Sequence, residues 1–148
     1  MNMTSTVLRS ALAAFVCTAI VAITSPAMAD MITMKADLKP ANEVPPGTGD
    51  GKGTVTATFD TASKKLSWQG SYSDLSGPAT AAHFHTGVAG KNGGVAVPIF
   101  SGAMAKSPFE GSATLTDAQV ADLMAGKFYV NIHTATHKAG EVRGQLTQ

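Results

Sequence analysis

The histidines of this chain fall into two short blocks, and this clustering is its most chemically suggestive feature. Residues 82–87 (AHFHTG) and residues 131–137 (NIHTATH) hold all four histidines among 148 residues. Histidine is the commonest metal ligand, and its side chain titrates unaided near neutral pH. On a β-strand, His83 and His85 would project from one face with Cα atoms ~7 Å apart, so that both rings could reach one ion ~2 Å from each nitrogen.

The first hypothesis is a transition-metal site for copper or zinc, the ions that suit imidazole ligands. Three histidines would converge on the ion, and a fourth histidine or a carboxylate would serve as a further ligand or would orient one of the rings. Convergence requires that the two histidine-bearing strands are neighbours in one sheet. The candidate metal-binding residues are His83, His85, His133, His137 and Glu141.

The alternative hypothesis is a polar network without a metal. In that case the imidazoles form hydrogen bonds with Asn131, Glu141 and Arg143 beneath the glycine-rich segment 87–94. Histidines lie near one another more often than they bind a common ion, so both interpretations stay open at the level of sequence.

Other catalytic patterns find little support, and the sequence predicts a protein that is not an enzyme. Ser71, Ser73 and Ser76 precede the first histidine block, but none lies in a Gly-x-Ser-x-Gly elbow. Segment 87–94 lacks the Lys-Ser/Thr ending of a phosphate-binding loop and is expected to join strand to strand. A His-x-His strand also carries copper in Cu/Zn superoxide dismutase, but the disulfide and the zinc-binding loop of that enzyme have no counterpart here.

Residues 1–29 have the features of a secretory signal peptide. Arg9 is their only charge, an apolar run covers residues 11–23, and Ala-Met-Ala at 27–29 suits cleavage. The run is too short for a membrane span of ~20 residues, so we expect no membrane span after cleavage before Asp30. Cys17, the single cysteine, precedes that point. The predicted product is periplasmic or secreted and has no disulfide.

Charge restricts the classes of partner. The whole chain has a formal net charge of +1, with no block of like charge. A near-neutral domain without a basic stripe argues against nucleic acid as a partner. The remaining class of partner is an unidentified protein or a component of the cell envelope.

Residues 30–148 alternate apolar and polar side chains at period two, with Gly, Pro, Asn or Asp every eight to twelve residues. This pattern predicts an all-β antiparallel Greek-key sandwich or barrel of seven to nine strands. A Thr-x-x-Gln capping box at Thr116, an apolar stripe and Gly126 predict one short helix near residues 117–125. Phe84 is predicted to pair with Val97.

The C-terminal segments predict a hairpin with one polar face. The polar and apolar faces of segments 128–134 and 141–146 align across the hairpin if Asn131 opposes Arg143 and His133 opposes Glu141. Arg143 and Glu141 are then expected to form a structural pair. The carboxylate beside His133 would be placed to orient its imidazole.

Four segments together resemble the CHRD domain, a family named from repeats in the chordin proteins. They are residues 42–46 (NEVPP), 82–94, 128–134 and 140–146 (GEVRGQL), in this order along the chain. The resemblance covers essentially all of residues 30–148. It implies an extracytoplasmic β-sandwich that acts as a binding or structural module, in a family without established catalytic activity.

Overall fold

The computed structural model describes residues 29–148, so the predicted signal peptide lies almost entirely outside the described residues. Within these residues, eight strands and one α-helix form a sandwich of two four-stranded sheets. The strands are β1 (Met31–Leu38), β2 (Lys52–Asp60), β3 (Lys65–Ser73), β4 (Ala79–Thr86), β5 (Val95–Ser101), β6 (Phe109–Thr114), β7 (Phe128–Thr134) and β8 (Val142–Gln145), and α1 is Asp117–Met124. The first sheet has the order β1-β2-β3-β6, and the second has the order β5-β4-β7-β8.

The core lies between the two sheets, and the apolar side chains at every second position of the strands fill it. The inward side chains of the first sheet meet those of the second, as Trp68 packs edge-on against Phe84 with ring centroids 5.1 Å apart. All strand pairs in the described residues are antiparallel. The predicted all-β sandwich is confirmed, and the sheets do not close into a barrel.

Helix α1 connects β6 to β7 and begins at the predicted cap. The Thr116 hydroxyl accepts from the Gln119 backbone N–H, and the Gln119 side chain accepts from the Thr116 N–H. Leu123 is buried, and Gly126, with φ of 69°, lies in the left-handed region just beyond the helix. No helix within residues 29–148 has the length and hydropathy needed to cross a membrane.

Strand pairing in the second sheet brings the two histidine blocks together. β4 pairs with β7 on one side and with β5 on the other, and Phe84 lies opposite Val97 as predicted. Pro98 lies opposite His83 in the same register, and the β4–β5 ladder shifts on either side of these two pairs, between Ala82 and His83 and between Phe84 and His85. Proline has no N–H to donate to a ladder, which is consistent with irregular pairing of an edge strand at this point.

Candidate metal centre

The three strand-borne histidines lie on the outer face of the second sheet. In the β4–β7 register His83 is opposite Asn131, and His133 is opposite Ala81. His133 is therefore the diagonal neighbour of His83 across the strand pair, while His85 lies two residues further along β4. Inward side chains of the same strands, such as Phe84 and Ile132, are fully buried in the core.

The three imidazoles converge. One ring nitrogen from each of His83, His85 and His133 lies within 4.8 Å of the other two. His83 Nδ1 is 3.1 Å from His133 Nε2. Two nitrogens bound tetrahedrally to one ion ~2.0–2.1 Å away are a little over 3 Å apart, so this separation is close to that of two ligands of a shared metal.

Backbone carbonyls fix the ring orientation of two of the histidines. His85 Nδ1 is 3.0 Å from the Gly93 carbonyl oxygen, and His133 Nδ1 is 3.0 Å from the Lys138 carbonyl oxygen. Because a carbonyl can only accept, each Nδ1 carries the proton, and each neutral ring has its lone pair on Nε2. Metal-binding histidines are commonly held in this way, with the second ring nitrogen donating to a backbone carbonyl.

His85 Nε2 is the unusual atom of the cluster. It is buried, and no atom of the described residues forms a hydrogen bond with it. A buried lone pair without a donor is costly, and a metal ion would satisfy it. The residues present therefore fit a transition-metal ion.

Electrostatics keep the three rings in the form that binds metal. Burial is the main cause that lowers the pKa of His83, His85 and His133 below the ordinary histidine value. A neighbouring positive charge lowers these pKa values further, from another imidazole for His83 and His133 and from Arg143 for His85. The imidazoles are therefore neutral at pH 7, as ligation requires.

The glycine-rich loop, residues 87–94, covers one side of the cluster. Gly93 binds His85 through its carbonyl, and its N–H donates to the Tyr129 hydroxyl at 3.1 Å. A Cβ atom on Gly93 would lie 1.5 Å from the Thr86 carbonyl oxygen, so only glycine fits there. The Tyr129 ring stacks on His85 with centroids 5.0 Å apart and completes the support of this histidine.

His137 and Glu141 lie in a second group, apart from the three histidines. The Glu141 carboxylate accepts from the Thr134 and Ser76 hydroxyls and is 3.2 Å from His137 Nδ1. Burial alone would raise the pKa of Glu141, but these hydrogen bonds outweigh it and lower that pKa. The structure thus does not bring these two predicted site residues to the cluster.

The predicted position of Glu141 beside His133 is wrong. The β7–β8 ladder ends with Ile132 opposite Val142, and the Glu141 N–H donates to the Ile132 carbonyl. The Glu141 side chain then turns to Thr134, which lies on the opposite face of β7 from His133. The Lys138 carbonyl, supplied by the intervening turn, orients His133 instead.

Ser76, His137 and Glu141 do not form a hydrolytic triad. The Ser76 hydroxyl and the Glu141 carboxylate approach the same ring nitrogen, His137 Nδ1, each at 3.2 Å. A triad needs the serine and the acid on different nitrogens of the ring. Here the Ser76 proton is also donated directly to Glu141, at 2.7 Å. The group is a structural connection between the β3–β4 loop and the β7–β8 turn.

A buried polar network borders the cluster. The alternative hypothesis predicted that the imidazoles join it, but within residues 29–148 the rings of His83, His85 and His133 hydrogen-bond to each other or to backbone carbonyls instead. Asn131 lies opposite Arg143, as expected, and each is only 2% exposed. The expected pair of Arg143 with Glu141 is not formed. Instead, the Arg143 guanidinium donates to the Asn92 side chain and lies 3.5 Å above the Tyr129 ring.

Sequence reasoning missed two contributors to this region. Glu43 accepts from the Asn131 side-chain amide at 2.7 Å, although 88 residues separate them. Tyr129 supports both His85 and Arg143. The alternation of β7 places Tyr129 on the same face as Asn131 and His133, and that signal could have identified it. No local signal could place Glu43.

Comparison with known families agrees with this architecture. The family model of the CHRD domain matches residues 34–146. The chain belongs to the CHRD domain family. Searches of the curated proteins and of the solved structures found no match to the chain. The match includes β2 to β8 whole and most of β1, so this CHRD domain contains the histidine cluster and the network beside it.

Proposed function

We propose that this CHRD domain is a non-catalytic module that binds one transition-metal ion through His83, His85 and His133. The single observation that carries the proposal is the buried Nε2 of His85, which has no partner in the described residues. The His85 ring centroid lies 5.5 Å from that of His83 and 6.0 Å from that of His133. In a polar network without metal, that atom would be a buried acceptor without a donor. A bound cation would remove this cost.

The tautomers of the three imidazoles support the proposal. The Gly93 and Lys138 carbonyls hold the Nε2 lone pairs of His85 and His133 ready for an ion. His83 Nδ1 would have to give up its hydrogen to bind, and a neutral imidazole can move that proton to Nε2 at little cost. Metal binding therefore replaces one histidine–histidine hydrogen bond with three coordinate bonds.

The donor set favours copper. Three imidazoles without thiolate or carboxylate suit copper and zinc, and the usual affinity order places Cu²⁺ above the other divalent ions of the series. Three protein ligands also leave a position for water or an exogenous ligand, unlike the closed four-ligand sites that zinc uses structurally.

The proposed setting is the periplasm or the extracellular space. Two features support it: the signal-peptide pattern of residues 1–29 and the resemblance to a family of extracytoplasmic modules. A binding role rather than catalysis is proposed, since Ser76, His137 and Glu141 lack the geometry of a hydrolytic triad.

The test is a metal titration of the domain purified without a histidine tag, using Cu(II), Cu(I) and Zn(II). We expect one equivalent of Cu(II) to bind. His85→Asn and His133→Asn are the most informative variants, because the asparagine amide can still donate to the same carbonyl while Nε2 is removed. Each should reduce copper affinity by roughly tenfold or more.

His137→Asn is the matched control, because His137 is a histidine outside the cluster. It should bind copper like the parent protein. Equal affinity in the parent and in both cluster variants would contradict the proposal, and so would an equal loss in the control. Circular dichroism of each variant checks that the sandwich is intact.

A further inference from the structure

A separate cleft lies on the outer face of the second sheet, between residues 41–46 and the start of the glycine-rich loop. Its volume is about 470 Å³, which is within the range of cavities that bind small molecules. Ala41, Val44, Pro46 and Ala89 make much of its wall apolar. Arg143, Glu43 and Gln145 bring polar groups to it.

Arg143 is the unusual group of this cleft. Its side chain is almost fully buried, yet no carboxylate of the described residues lies within ion-pair distance of it. A guanidinium has five N–H donors. One donates to Asn92 and one to the Lys91 carbonyl, so three have no partner in residues 29–148. A buried cation with free donors is normally paired.

Glu43 also lines the cleft, and its carboxyl feels the charge of Arg143. It does not, however, neutralise the guanidinium. Its carboxylate accepts from Asn131 rather than from the guanidinium. Burial raises the pKa of Glu43 to about 7, against the opposing effects of Asn131, Arg143 and His137. Near neutral pH the carboxyl is therefore partly protonated, and the positive charge of Arg143 is not fully balanced.

We propose that this cleft binds a small organic carboxylate, with its carboxylate group on the free donors of Arg143 and its apolar body against Val44 and Pro46. Arginine recognises carboxylates through paired N–H groups, and the stacking on Tyr129 holds the guanidinium plane in place. The apolar wall favours an aromatic or aliphatic acid over an inorganic anion. This site is distinct from the histidine cluster and does not depend on metal binding.

The test is calorimetric titration with benzoate and phenylacetate, with benzamide and inorganic phosphate as comparison ligands. We expect saturable binding of the two acids, and no binding of benzamide or phosphate at the same concentrations. Arg143→Lys should weaken binding of the acids by roughly tenfold, because lysine keeps the charge but loses the planar fork.

Ala89→Trp keeps the proposal falsifiable if Arg143→Lys does not fold. Ala89 is exposed on the rim, so a tryptophan there should fill the cleft while Arg143 itself is unchanged, and binding of the acids should be lost. Glu43→Gln should bind benzoate more tightly than the parent at pH 8, because it removes the competing negative charge.

Three results would overturn the carboxylate site. They are failure of both acids to bind the parent, equal binding of benzamide, and unchanged affinity in Ala89→Trp. None of these results bears on the copper titration, so the two proposals fail separately.

Discussion

The two sheets present very different outer faces, although each has four antiparallel strands. The first sheet carries polar side chains in rows across the strands, for example Thr56, Gln69 and Glu110, and these are exposed or half-buried. The second sheet carries a row of His83, Asn131 and Arg143, which are partly or almost fully buried.

The difference comes from the loops rather than from the strands. Segments 40–47 and 87–94 lie over the second sheet, where Asn92 donates to the Val44 carbonyl and so ties the two loops together. Within residues 29–148 no comparable contact covers Thr54 and Gln69 on the first sheet, where an open cleft lies instead. Polar groups that lose water must find partners, and a covered face is therefore where binding chemistry can arise.

The largest effect should come from removing the buried cation. Arg143→Ala deletes the stacking on Tyr129 and the hydrogen bonds that hold Asn92 and Lys91, and should lower the free energy of unfolding by about 2–4 kcal/mol. Gln69→Ala, the matched change on the open face, should alter it by less than about 0.5 kcal/mol. Urea unfolding of both variants measures this contrast, and equal costs would refute it.

A second contrast lies within the glycine-rich loop. Gly93→Ala forces the backbone away from Thr86, and should cost about 1–3 kcal/mol of stability while reducing copper affinity, because the Gly93 carbonyl holds His85. Gly94→Ala is the control, since a Cβ atom there would meet nothing within 4 Å. Thermal unfolding and copper titration distinguish the two, and a copper affinity unchanged in Gly93→Ala would show that the loop does not support the site.

The sequence predicts the strands well because their signal is local. Alternation identified each strand, and the capping box identified α1. The pairing of Asn131 with Arg143 also follows from matching the two faces of one hairpin. The spacing of His83 and His85 predicted that two imidazoles share a face, and convergence with His133 needed only that β4 and β7 be neighbours.

The remaining features depend on contacts between distant segments, which alternation does not encode. Glu43 reaches Asn131 because segment 40–47 folds over β7. Glu141 has no strand partner to fix its direction, so its carboxylate follows the hydroxyls of Ser76 and Thr134 instead of His133. Loop covering, more than strand pairing, therefore decides which polar residues are buried.

A smaller effect should appear in the pH dependence of stability. Because burial raises the pKa of Glu43 from 4.5 to about 7, the folded state holds a proton that the unfolded state has released across this range. The contribution of the Glu43 carboxyl to the free energy of unfolding is fully present below pH 4.5 and is lost as the pH rises through about 7. The loss should be on the order of 1 kcal/mol after allowing for partial exposure. Glu43→Gln should remove this slope in urea unfolding between pH 5 and pH 8, and an unchanged slope would contradict it.

The smallest expected effect has the opposite sign and belongs to the histidine cluster. Burial lowers the pKa of His133 below 6.5, so in this case the unfolded state takes up the proton first. Stability from the neutral ring is present above pH 6.5 and is lost as the pH falls toward the lowered folded value. The two slopes oppose each other in the parent, so the measurement is best made in Glu43→Gln with EDTA present.

In Glu43→Gln, stability should fall on acidification below pH 6.5, and the further change His133→Asn should flatten this dependence of stability on pH. Equal acid slopes in the two proteins would mean that His133 is as easily protonated in the fold as in the unfolded chain, and that the cluster is not held in its metal-binding form.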